Sequence, residues 1–129
     1  MKRYALVTLF ALAIRAQDAH APVKAAPLMV KDLPGMAGKE AMMLTVELAP
    51  GAASPSHRHN ASVFVYVLEG SVVMAVKGGK EATLGPGETF YESPDDIHSV
   101  SRNASATKPA KILVFMVKEK GAPVSAPAH

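Results

Sequence analysis

Apolar and polar positions alternate along much of this chain. Met42, Leu44, Val46 and Leu48 share one phase, and Met43, Thr45 and Glu47 the other. A period of two is the signature of a strand with one buried face. Residues 63–68 form an apolar run rich in β-branched and aromatic types, and 72–76 form a second run closed by Gly78-Gly79. Three shorter segments at 89–91, 97–100 and 112–117 complete the set. Turn residues fall between them, at Pro50-Gly51, Glu69-Gly70, Gly85-Pro86-Gly87 and Ser93-Pro94-Asp95. No helical period of useful length occurs after residue 22, and there is no internal repeat. Short strands at this regular spacing predict an all-β sandwich or barrel. Within 63–68, Val63, Val65 and Val67 share one face and Phe64, Tyr66 and Leu68 the other. If the valines face the interior, the aromatic face needs cover from the second sheet or from a dimer partner.

The two ends read differently. Lys2 and Arg3 precede ten nearly unbroken apolar positions, 5–14. That run is too short to span a bilayer but suits the apolar core of a signal peptide. Cleavage is expected after Ala16 or Ala21, which makes 1–21 a signal peptide and the mature protein periplasmic or secreted, without stable membrane insertion. Residues 22–39 read as a lead-in that begins Ala/Pro-rich, 40–117 as the folded domain, and 118–129 as a flexible Ala/Pro-rich tail.

Length and composition narrow the classes. The chain has 129 residues, 49% of them hydrophobic and 19% charged, enough for one folded domain. With no cysteine it has no disulfide, thiolate metal site or thiol nucleophile. The formal charge of +3 falls to about +1 once 1–21 are set aside. The remaining basic residues are scattered singly, so a nucleic-acid partner is excluded.

Candidate chemistry gathers on histidine. His57 and His59 stand two apart, so on a strand both side chains point the same way. One metal ion can take a nitrogen from each, with a third ligand from another strand. His98 is the remaining histidine of the folded region, since His129 lies in the tail. Imidazole suits Zn, Cu, Fe and Ni. A polar surface pair beside a turn is the other reading of His57-Arg58-His59. Arg58 should then point to the opposite face. Glu92 and Tyr91 lie close to His98 in sequence, and Glu92 is the candidate general base or substitute carboxylate. The methionines read as adaptable core filler, with soft copper ligation as the alternative.

The spacing around these histidines resembles the cupin family in its small single-domain form. Gly51, five residues, His57-Arg58-His59, three residues, Val63, six residues and Gly70 follow the family's first motif. Gly87, five residues, Ser93-Pro94-Asp95, two residues and His98 follow its second, with Asn103 one place late. Sixteen residues separate Gly70 from Gly87, and the likeness covers about 40–117. It implies a double-stranded β-helix, or jelly-roll barrel, holding a divalent transition metal (Fe, Mn, Ni, Zn or Cu) through His57, His59 and His98. Val63 stands where the family usually has a carboxylate ligand. Three neutral imidazoles would leave the ion more positive, as in the family's thiol-oxidising iron enzymes. The implied activity is a metal-dependent oxygenase or isomerase acting on a small oxygen-rich or thiol-bearing molecule; a homodimer is the assembly that would cover the aromatic face of 63–68. The alternative is a cupin that binds a metal or small ligand without turnover.

Overall fold

The computed structural model describes residues 22–128. The expected signal peptide, 1–21, and His129 lie outside the described residues. Ten strands follow one another: β1 (Val23–Asp32), β2 (Lys39–Leu48), β3 (His57–Arg58), β4 (Ser62–Glu69), β5 (Val72–Val76), β6 (Ala82–Leu84), β7 (Thr89–Glu92), β8 (His98–Asn103), β9 (Ala110–Glu119) and β10 (Ala126–Pro127). No helix occurs among the described residues. The strands build two five-stranded antiparallel sheets, ordered β1-β2-β9-β4-β7 and β10-β3-β8-β5-β6. Their inner faces enclose one core, the double-stranded jelly roll expected from the sequence.

Alternation decides which side chains enter that core. In β4, Val63, Val65 and Val67 are buried while Phe64, Tyr66 and Leu68 are exposed. In β2, Met42, Leu44 and Leu48 point inward, and in β9 Ile112, Val114 and Met116 do the same. Gly51, Gly70 and Gly87 all have positive φ, which explains why these places want glycine. At Gly70 a side chain would also strike the carbonyl oxygen of Pro109.

Both ends depart from expectation. Residues 22–39 are more than a lead-in: β1 pairs with β2 from Val23 to Asp32, with one register shift. Its ten residues are all exposed, so it lacks the buried phase that reveals a strand in sequence. Its stabilisation comes from backbone pairing at a sheet edge, where Pro27 is tolerated beside the register shift between Pro27 and Met29. Nor are residues 118–128 a flexible tail. Strand β9 runs on to Glu119, and β10 pairs with β3. The turn between them is held by a buried ion pair: Lys118 Nζ lies 2.5 Å from Glu40 Oε1, and the two residues are cross-strand partners. Lys118 also donates to the carbonyl of Ala122 at 2.8 Å, while the Gly121 amide donates to Glu40 at 3.1 Å. The bond from Lys118, then that from Gly121, holds the Glu40 carboxyl below its ordinary range.

Candidate metal centre

Three imidazoles meet at one end of the space between the sheets. His57 opens β3 and lies opposite His98, the first residue of β8. His59 follows β3 directly, and Asn60 then takes a left-handed conformation, φ 51°, to turn the chain into β4. The two-residue spacing does bring His57 and His59 to one side, with ring centroids 4.7 Å apart. His98 joins them, 4.9 Å from His57 and 6.3 Å from His59. One nitrogen from each of the three lies within 4.8 Å of the others.

Hydrogen bonding fixes which nitrogens are free. Nδ1 of His57 lies 2.8 Å from the carbonyl oxygen of Pro55, and Nδ1 of His59 lies 2.7 Å from that of Val124. A carbonyl only accepts, so each Nδ1 is assigned as the donor. In the neutral rings both Nε2 atoms are then bare lone pairs, and they stand 3.0 Å apart. Two acceptors at that distance repel unless a proton or a cation lies between them. Two ligands of one ion about 2.1 Å away can be no more than about 4.2 Å apart, so 3.0 Å fits a shared ion. His98 supports the same conclusion, because neither of its buried ring nitrogens makes a well-aligned hydrogen bond. The residues present therefore fit a metal ion, on which the three nitrogens, within 4.8 Å of one another in its absence, would draw closer.

Burial sets the protonation states. Desolvation, followed by repulsion from His57 and His59, pushes the His98 pKa down to about 4. Desolvation also lowers that of His59. Neutral rings are the form that ligates a metal. Glu92 ends β7 and is buried, with Oε2 3.3 Å from His98 Nδ1 and 3.8 Å from His59 Nε2. Burial, and then the charge of Asp96, raise its carboxyl to about 7. Glu92 is also the direct cross-strand partner of Val63. The position where the family usually carries a carboxylate is thus filled by valine on β4, while the adjacent strand supplies a carboxylate beside the same histidines.

These groups border a cavity of about 400 Å³ between the sheets. Its other walls are largely apolar, with Leu44, Met74, Ile112 and Met116 among them. Val63 lines it too, so that side chain faces the candidate site. Arg58 does not line the cavity; its Nη1 donates to the carbonyl of Asp95, as its opposite phase predicted. Tyr91, near His98 in sequence, is not brought to the site. It lies on the outer face, exposed and 5.1 Å from Phe64, because alternation along β7 turns it away from Glu92. Two contributors had no signal in sequence: the carbonyls of Pro55 and Val124, since any residue offers a carbonyl. Glu40 and Lys118 did have one, being charges in the inward phase of β2 and β9.

Fold and site together define a jelly-roll protein with a three-histidine centre. The family pattern of the Cupin domain matches residues 44–116, and the chain belongs to that family. Among solved structures, a protein from Thermus thermophilus is 29% identical, with TM-score 0.59, over 74% of this chain and 83% of that one. A Klebsiella pneumoniae protein with a double-stranded β-helix domain is 18% identical, with TM-score 0.64, over 89% of this chain and 90% of its own. The DMSP lyase DddQ from Ruegeria pomeroyi is 20% identical, with TM-score 0.60, over 68% of this chain. This chain spans 43% of that lyase's length. No curated protein matches.

Proposed function

We propose that this cupin is a metal-dependent enzyme, an oxygenase or isomerase, acting on a small molecule. One observation carries the reading: two bare Nε2 atoms 3.0 Å apart, beside a buried His98 with no well-aligned hydrogen bond, at the wall of an apolar cavity. His57, His59 and His98 would hold a divalent transition ion. Such an ion supplies Lewis acidity and, when it is iron, copper or manganese, a redox centre. The protein's own part is positional. Pro55 and Val124 orient the first two rings, and the cavity excludes water from the substrate's apolar portion. Glu92, with its carboxyl near neutrality, takes a proton from a bound substrate and returns it. Apolar walls around a polar end fit a substrate with one polar or anionic group and a small hydrocarbon body. That the fold also serves a lyase of small molecules supports an enzyme over an inert scaffold. The wall composition supports a second reading, a cupin that binds such a ligand without turnover.

The test is elemental analysis of protein from its native host, followed by dioxygen uptake and product analysis with small thiols and carboxylic acids. Metal at one ion per chain, with turnover lost in Glu92→Gln, supports the enzyme. Stoichiometric metal without turnover supports the binding reading. Export belongs to the same proposal, supported by the charged start and apolar run of 1–21. Sequencing the native N-terminus should show those residues, or 1–16, removed. A homodimer through the outer face of the first sheet, where Phe64, Tyr66, Tyr91 and Phe115 are exposed, completes it. Sedimentation equilibrium should then find a dimer that Phe64→Ser weakens.

A further inference from the structure

Residues 122–127 look like a chain end with nothing to bury, yet they touch the most chemically committed part of the protein. Val124 supplies the carbonyl that accepts the hydrogen bond of His59 Nδ1–H at 2.7 Å. Ala126 and Pro127 pair with Arg58 and His57. Val124, Ser125, Ala126 and Pro127 line the cavity on the side of the histidines. The segment is tied down just before this point, where Lys118 bonds to Glu40 and to the carbonyl of Ala122 while Gly121 bonds to Glu40. Glu40 and Lys118 both have little exposed surface, so the anchor is shielded from solvent.

The geometry points to a strap: residues 122–127 are a working part of the metal centre, with Val124 as the positioning residue of His59 and the Glu40–Lys118 pair as its latch. This rests on the three-histidine metal reading. His59 ligates through Nε2 only if Nδ1 keeps the proton, and the Val124 carbonyl is what holds it there. Losing an outer partner of this kind typically costs about 10–100-fold in metal affinity. Coupling is reciprocal, so an ion that fixes His59 must also steady the strap. The strap forms one wall of the cavity, so its residues also limit what can reach the ion.

Zn²⁺ titration by calorimetry tests this on three full or nearly full chains: wild type, Glu40→Met/Lys118→Met, and a chain ending at Gly121. The double substitution replaces the buried pair by side chains of similar volume, which cores often tolerate. Both altered chains should keep the wild-type far-ultraviolet spectrum and bind Zn²⁺ about 10–100-fold more weakly. Amide hydrogen exchange of wild type should slow at 122–128 when Zn²⁺ is added. This measurement needs no variant, so a misfolded variant does not spoil the test. If wild type binds Zn²⁺ tightly and both variants match it, or if exchange at 122–128 ignores the ion, the strap is overturned alone. If wild type binds no Zn²⁺, the metal reading fails and the strap with it.

Discussion

Glu92 and His98 sit 3.3 Å apart with pKa values displaced in opposite directions, and this gives the metal-free protein a distinctive pH response. Glu92 titrates at about 7 in the fold against an ordinary 4.5. Between those values the folded state keeps a proton that the unfolded chain has released, so its contribution to stability falls as pH rises. His98 titrates at about 4 against 6.5, and there the unfolded chain holds the extra proton, so stability rises with pH. In wild type the two slopes oppose each other between about 4.5 and 6.5. Glu92→Gln removes one of them. Urea unfolding in EDTA should then show stability growing with pH over the window by ~2–3 kcal/mol more in the variant than in wild type, the lowered His59 contributing equally to both. A slope that the substitution leaves unchanged would contradict the raised carboxyl of Glu92. Val63→Glu is the companion prediction. It buries a second carboxylate opposite Glu92, so the metal-free form should lose several kcal/mol. The same group faces the candidate site, and calorimetry should show tighter Zn²⁺ binding than in wild type.

Strands differ in how plainly the sequence announces them, and the reason is burial. Strands β2, β4, β5 and β9 each place apolar side chains in the core; the phases of β2 and β4 could be read directly, while β5, buried at four successive positions, showed only as an unbroken apolar run. Strand β1 has no buried residue and contains Pro27, so nothing in its side chains records its pairing with β2. Strand β10 is two residues in a Pro/Ala segment, paired with Arg58 and His57 of β3, about seventy residues earlier in sequence. His57, His59 and His98 were legible because spacing on strands fixes facing, and Glu92 by its nearness to His98. The carbonyl of Val124 was not, because its role depends on which loop the turn at Gly121 delivers. The same contrast predicts energetics. Met116→Ala, fully buried in β9, should cost ~2–5 kcal/mol. Leu28→Ala, 58% exposed in β1, should fall within about 0.5 kcal/mol of wild type. Denaturant unfolding of both variants checks this, and equal costs would mean that β1 packs against something beyond its own chain.

At the scale of the whole molecule, two sheets close around an apolar cavity and bring three histidines from two separated stretches of chain to its wall. No helix among the described residues is long and apolar enough to cross a membrane. Everything proposed for function depends on those imidazoles acting as one site. The most direct measurement is the metal content, by elemental analysis, of wild type and His98→Ala purified side by side from the same host. The account predicts about one transition-metal ion per wild-type chain and almost none in the variant, with far-ultraviolet spectra alike. Equal metal content in the two would show that the three histidines are not a metal site.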